Sequence, residues 1–124
     1  MTVTTVRRMN EFDIDGVLAV EEKSFTTPWS RAGFVEEMKN EVAHYLVIIS
    51  NGHIIGYAGM WLIVDEAHVT NVAIAPEYRG QKLGEKLMAA LIAHAKERGA
   101  LNMTLEVRAT NVAAQKMYAK FGFV

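Results

Sequence analysis

Val72-Ala73-Ile74-Ala75-Pro76-Glu77-Tyr78-Arg79-Gly80-Gln81-Lys82-Leu83-Gly84 is the stretch on which the architecture turns. It starts as the end of an apolar run, breaks at Pro76, crosses a basic, glycine-containing loop and enters an amphipathic segment. It therefore reads as strand, loop and helix N-terminus in succession. A helix start presents several backbone N–H groups without intrahelical partners, together with the positive end of the helix dipole, and so suits a pyrophosphate. Arg79 and Lys82 would add positive charge, and Gly80 and Gly84, lacking a Cβ, would let an anion approach the backbone. The same residues also make a solvated basic turn, and spacing alone does not separate the two readings. Two other phosphate loops are excluded. A Walker A loop would continue Gly-Lys-Ser/Thr where Glu85 follows Gly84, and the Rossmann G-x-G-x-x-G pattern is absent, its βαβ setting replaced by the third strand of a meander.

Working outward, the downstream residues predict a helix from about Leu83 to Arg98, with Leu83, Leu87, Leu91, Ile92 and Ala95 on one face and Gly99 as its left-handed stop. A strand over 102–107 follows, then a last helix capped by Asn111, running through Phe121 and ended by Gly122. Upstream, Ala67–Ile74 reads as a strand preceded by an Asp65-Glu66 turn, and His53–Val64 and Ala43–Ser50 as strands joined at Asn51-Gly52, a strong hairpin signal. Thr2–Arg8 has the Thr and Val content of a short strand. Asp13–Glu22 carries Ile14, Val17, Leu18 and Glu21 at helical spacing, with Asn10 or Asp13 as cap. Pro28-Trp29-Ser30 forms a loop from which Ser30 caps a second helix with Phe34, Val35 and Met38 as its apolar stripe. The sum is an α+β fold, with helices flanking a mixed, mostly antiparallel sheet.

Composition narrows the class. The chain has 124 residues, 51% of them hydrophobic and 22% charged, values that suit one domain spanning 1–124. With no cysteine, disulfide frameworks, thiolate metal sites and a cysteine nucleophile are excluded, and a reducing compartment fits. The N-terminus has no apolar run after its charges, and no segment approaches the roughly 18 apolar residues that would span a bilayer, so a soluble, cytoplasmic protein without membrane contact is expected. A net charge of −1 suggests no direct nucleic-acid partner. His44, His53, His68 and His94 show no ligand spacing, so no metal site is expected, and methionines such as Met88 read as core filler.

Val72-Ala73-Ile74-x-Pro-x-Tyr-Arg-Gly-x-x-x-Gly resembles the acetyl-CoA motif of the GNAT N-acetyltransferases, Q/R-x-x-G-x-G/A after an apolar strand. Arg79, Gly80, Gln81, Leu83 and Gly84 match, and Lys82 stands at the family's middle glycine. The resemblance covers essentially the whole chain through Pro28-Trp29-Ser30, Asp65-Glu66-Ala67, Asn71-Val72-Ala73-Ile74, Leu105-Glu106-Val107-Arg108 and Asn111-x-Ala113-Ala114-x-x-x-Tyr118. It is closest to the ribosomal-protein alanine N-acetyltransferases. What it implies is a GNAT fold, acetyl-CoA as acetyl donor, and an acceptor that is a protein N-terminal amine, foremost the N-terminal alanine of a ribosomal protein. Val72, Ala73 and Ile74 would be backbone partners of the acetyl and pantetheine groups, with a strand N–H at a bulge facing the oxyanion. Arg79, Gly80, Gln81, Lys82, Leu83, Gly84 and Glu85 would line the pyrophosphate. Asn111 would contact CoA, a role compatible with capping its helix. Pro28 and Trp29 would lie where the acceptor docks, although Trp29 reads equally as a core anchor.

The chemistry needs a base, an oxyanion donor and an acid. An α-amine has a pKa near 8, so only about a tenth of it is neutral at pH 7. Along Met103-Thr104-Leu105-Glu106-Val107-Arg108, alternation puts Thr104, Glu106 and Arg108 on one face. That is also the pattern of a half-solvated strand; the resemblance implies that Glu106 is the base. Tyr118, on a tyrosine's ordinary pKa near 10, would stay protonated and could serve the departing thiolate. By pattern alone it is also a boundary tyrosine packing its ring. Two other functions share the cofactor residues: a small-amine acetyltransferase and a non-catalytic CoA-binding module. GNAT chains normally continue beyond the Gly-Phe after the last helix, whereas this sequence ends at Val124. The expectation is a missing C-terminal strand, an exposed edge at 102–107, and marginal stability or a homodimer, against which a stable monodisperse monomer by light scattering would count.

Overall fold

The β-branched runs become strands and the 3.6-period segments become helices, in an order that wraps one sheet on both faces. The computed structural model describes residues 4–24 and 29–105. In chain order the elements are β1 (Thr5–Arg8), a short 3-10 turn (Glu11–Asp13), α1 (Ile14–Ser24), α2 (Arg31–Met38), β2 (Ala43–Ser50), β3 (His53–Ile63), β4 (Glu66–Ile74), a second 3-10 turn (Pro76–Tyr78), α3 (Leu83–Glu97) and β5 (Asn102–Thr104). The sheet runs β1-β2-β3-β4-β5. Its first pairings are antiparallel and β4 pairs with β5 in parallel, as the crossover through α3 requires. The mixed, mostly antiparallel α+β architecture is as expected.

Local signals account for the connections. Asn51 and Gly52 both take positive φ, 51° and 79°, the geometry that matches a two-residue hairpin to strand twist. Ser30 Oγ accepts from Gly33 N at 3.1 Å and caps α2. Asn10 and Asp13 share the N-terminal cap: the Asn10 side chain accepts from Phe12 N (2.8 Å) and Asp13 Oδ2 accepts from Asn10 N (2.8 Å). Arg7 closes on the same Asp13 carboxylate through both guanidinium nitrogens, at 2.7 and 2.8 Å, and this contact holds its carboxyl below the usual range. One boundary moves. The β3–β4 turn was expected at Asp65-Glu66, yet Glu66 already pairs with Ile63, and the turn falls on Val64 with φ 56°. The Asp65 carbonyl accepts from Leu101 N at 2.7 Å, so a contact 36 residues away in sequence helps hold a β-branched residue in the left-handed region.

The sheet has a core on each face. Val17, Phe34, Tyr45, Val47, Tyr57 and Ala73 cluster beneath α1 and α2, with Phe34 edge-on to Tyr57 at 5.7 Å. Leu46, Ile48, Met60, Leu87, Met88 and Leu91 cluster beneath α3, and Met88 is core filler as read.

At the rim of the α3 core the fold joins two histidines that the sequence leaves apart. His44 Nδ1 lies 3.1 Å from His94 Nε2, and Arg98 Nη1 lies 3.2 Å from His94 Nδ1. Guanidinium can only donate, so His94 Nδ1 is the acceptor and its Nε2–H donates to His44. That chain needs a neutral imidazole. Burial first, then Arg98 and His44, push His94 from 6.5 down to about 4, and burial lowers His44 as well. A histidine depressed by folding leaves the unfolded chain holding the extra proton between the two values, so stability is intact above pH 6.5 and falls as the pH drops towards 4. Denaturant midpoints measured across that window are expected to decline with acidification, and His94→Gln is expected to flatten the upper part, where carboxylates do not yet titrate.

Candidate active site

Among the described residues the outer edge of β4 is covered over only part of its length. β5 pairs with β4 only at Glu66, Ala67 and His68. Among the described residues no strand lies alongside β4 from Val69 to Ile74 on the side away from β3. The register with β3 slips within this stretch: Asn71 faces Gly59 and Val69 faces Met60, so Thr70 is the extra residue of a β-bulge, a device that bends a strand and re-aims its backbone. Val72, Ala73 and Ile74 lie just beyond, on the open edge. Ala73 packs toward α1, and Val72 and Ile74 pack toward α3.

At the end of β4 the chain enters the loop read first. Ala75 N donates to Ile55 O at 2.8 Å, and Arg79 folds back so that its Nε donates to Ile74 O at 3.1 Å. Gly80 has φ 85°, and a Cβ there would meet nothing within 4 Å, so the backbone angle rather than crowding demands glycine. Lys82 is the N-cap of α3 with φ 61° and makes no side-chain cap hydrogen bond, in contrast to Ser30 on α2. Leu83 is buried and anchors the first turn in the core. Lys86 is turned to the N-terminal strand region, its Nζ donating to Thr4 O at 2.8 Å. A helix start whose N-cap side chain makes no cap hydrogen bond, with Arg79 and Lys82 in the loop before it, is the kind of terminus a diphosphate can use.

The conformation of Lys82 explains the glycine usual at its place: the left-handed region costs a residue with a Cβ about 1–2 kcal/mol. Lys82→Gly is expected to stabilise the fold, by less than about 1 kcal/mol because glycine loses more chain entropy on folding. It should also weaken acetyl-CoA binding and make that binding less salt-sensitive. Calorimetric titration at two ionic strengths, alongside thermal unfolding, checks both effects.

The structure thus brings together Val72, Ala73, Ile74, Arg79, Gly80, Gln81, Lys82, Leu83, Gly84 and Glu85 in one run of chain. Glu106, Asn111 and Tyr118 lie outside the described residues, as does Pro28. The Trp29 ring lies 5.3 Å from Phe34, and 36% of the residue is exposed.

Sequence reasoning missed a buried polar network against the inner side of the bulge. Glu21, 2% exposed, accepts from Trp29 N at 2.9 Å and from the Tyr57 hydroxyl, tying Trp29 and β3 to α1. Glu37 Oε2 accepts from the Tyr45 hydroxyl at 2.7 Å and from Trp61 Nε1 at 2.9 Å. Burial, and for Tyr57 the bond to Glu21, push both phenols up, so they remain donors. A signal for Glu21 was present: a carboxylate on the same helical stripe as Ile14, Val17 and Leu18 must be buried and needs partners. Among the described residues no group of three or more His, Cys, Asp or Glu is gathered to hold a metal, and no helix is long and apolar enough to cross a membrane.

A bulged β4 with an open edge, leading through a glycine loop into a helix whose N-cap side chain makes no cap hydrogen bond, defines a class of acyl-CoA-dependent transferases. The chain belongs to the acetyltransferase (GNAT) family, whose sequence model matches residues 14–123. It is an acetyl-CoA-dependent N-acetyltransferase. Among its relatives is a Bacillus subtilis (strain 168) protein named as a putative [ribosomal protein bS18]-alanine N-acetyltransferase, 48% identical over 122 residues, covering 98% of this chain and 81% of that protein. The crystal structure of the ribosomal-protein-S18-alanine N-acetyltransferase from Escherichia coli superposes with a TM-score of 0.91 at 30% identity, covering 97% of this chain and 77% of that one. The PaiA N-acetyltransferase of Thermoplasma acidophilum, solved in complex with coenzyme A, shares the fold with a TM-score of 0.88 at 19% identity, covering 97% of this chain and 89% of that one.

Proposed function

We propose that this enzyme acetylates the N-terminal alanine of ribosomal protein bS18. The observation that carries the acceptor is the 48% identity, over 98% of the chain, to a relative named for that activity. In this reading Val72, Ala73 and Ile74 hold the acetyl-pantetheine arm along the open edge of β4. Arg79, Gly80, Gln81, Lys82, Leu83, Gly84 and Glu85 surround the diphosphate, and Asn111 contacts CoA. Glu106 takes a proton from the acceptor ammonium, the freed amine attacks the thioester carbonyl carbon, and the bulge backbone faces the charge developing on the carbonyl oxygen. As the carbonyl re-forms and the carbon–sulfur bond breaks, Tyr118 donates its proton to the departing sulfur, the nitrogen passes its second proton to the tyrosinate, and Glu106 returns the first to solvent. Trp29, whose N–H Glu21 holds, and Pro28 border the path of the acceptor. The work would be done in the cytoplasm by a single domain over 1–124, with no direct nucleic-acid contact, in keeping with the net charge of −1.

The test is incubation with acetyl-CoA and a peptide carrying the N-terminal sequence of bS18, beside polyamine and aminoglycoside acceptors, with products read by mass spectrometry. Acetylation of the peptide α-amine is the expected result. Turnover of the small amines with an untouched peptide would replace the reading by a small-molecule acetyltransferase. Acetyl-CoA binding without any acetylated product would make the chain a CoA-binding module.

A further inference from the structure

Tyr45, Gly59 and Asn71 form one row across three strands, since Tyr45 pairs with Gly59 and Gly59 with Asn71. Two residues of the row carry side chains and the middle one does not. The Tyr45 ring uses that gap: a Cβ on Gly59 would stand 2.2 Å from Tyr45 Cε2 and 2.4 Å from its Cζ, so the ring lies flat across β3. It ends at the bulge, where its hydroxyl is 3.2 Å from Thr70 Oγ1 and 3.2 Å from Asn71 Oδ1. The hydroxyl is itself held from the helix layer, donating at 2.7 Å to Glu37, which also accepts from Trp61. Tyr45 is 4% and Glu37 8% exposed, so the bond between them is buried away from water.

We infer that Tyr45 is a positioning residue for acetyl transfer: gripped by Glu37, its hydroxyl locks the Thr70–Asn71 bulge and so sets the direction in which the β4 backbone meets the acetyl carbonyl. This rests on the proposed role of the bulge as the oxyanion contact. A bulge leaves an extra residue outside the ladder; with the single phenolic proton given to Glu37, the Thr70 hydroxyl donates to the phenolic oxygen at 3.2 Å and Asn71 lies against the same oxygen. Removal of that phenolic oxygen leaves the strand in place and its backbone direction unspecified. An oxyanion donor acts only when aimed before the reaction begins, so the loss falls on turnover more than on coenzyme binding, whose charged contacts lie in the loop after Ile74.

Tyr45→Phe keeps the ring over Gly59 and deletes only the oxygen. Its kcat and kcat/KM are expected to fall together by about ten- to a hundredfold, with the dissociation constant for acetyl-CoA within about twofold of the parent. The readout that a merely structural tyrosine would not move is the infrared band of the bound, isotope-labelled thioester carbonyl. The parent should lower this band relative to acetyl-CoA in water, and Y45F should return it towards the solution position. A band that is lowered in the parent and unchanged in Y45F overturns the role of Tyr45 and leaves the bulge reading standing. No lowering in the parent overturns the bulge reading and the role of Tyr45 with it. Should Y45F fail to fold, the near-isosteric Thr70→Val removes the hydroxyl that bonds to the phenol and must move the band in the same direction; an unmoved band overturns the inference.

Discussion

Glu106→Gln is expected to lower kcat by about 10²–10⁴-fold while leaving the dissociation constant for acetyl-CoA nearly unchanged. Glutamine preserves the shape and much of the hydrogen bonding of the side chain and removes only its capacity to accept a proton at neutral pH. An α-amine is about nine-tenths protonated at pH 7, so without a base the reaction draws on the small neutral fraction and its rate should climb with pH until the amine is titrated. The parent should show a plateau beginning at lower pH. Tyr118→Phe should also cut turnover, with the loss concentrated on the release of the thiolate and little dependence on the acceptor's pKa. Thiol release followed across pH, together with calorimetric titration of acetyl-CoA, separates these effects. Rates unchanged in both variants would remove the proposed roles of Glu106 and Tyr118 without touching the family assignment.

The largest loss of stability from one added methyl group is expected at Gly59. Alanine there would place its Cβ 2.2 Å from the Tyr45 ring, and the obstacle is a ring pinned by Glu37 and stacked 6.4 Å from Tyr57 rather than the loose end of a flexible side chain. Overpacking of this kind costs about 1–3 kcal/mol, and displacing the ring strands buried hydrogen-bonding groups at a further 1–3 or so, giving about 2–5 kcal/mol in all. Gly52→Ala is the comparison. Its φ is 79° and a Cβ there meets nothing within 4 Å, so it should cost only the roughly 1–2 kcal/mol of a left-handed backbone. Urea denaturation of the two variants gives the difference directly. If Gly59→Ala proved as mild as Gly52→Ala, the Tyr45 ring would be free to move, and the lock on the bulge would lose its footing.

Much of the fold was legible in the residues because the relevant preferences are local. Asn51-Gly52 supplies the positive φ pair of its hairpin, Ser30 supplies the oxygen that α2 needs, and Gly99 supplies the left-handed stop after α3 with φ 87°. The path of the loop from Ile74 to Glu85 was legible for the same reason, since it is one unbroken run of chain; its proposed hold on a diphosphate draws on the resemblance as well. Lys82 shows the limit. Its occupation of a left-handed position is a property of the loop's path, and nothing in the side chain announces it.

By itself, then, the order of residues determined which of the described segments are strands or helices, most of the places where they turn, and that they form an α+β sheet of mixed direction, since periodicity and capping act within a few residues. Tertiary structure alone decided the partners across the sheet. The bulge at Thr70 depends on register with β3. The meeting of His44 with His94 depends on α3 crossing the sheet, and the reach of Tyr45 to Asn71 depends on a glycine in the strand between them. A one-dimensional pattern records which face a side chain occupies. It does not record its neighbour on that face, because that neighbour is set by packing among strands and helices far apart in the chain.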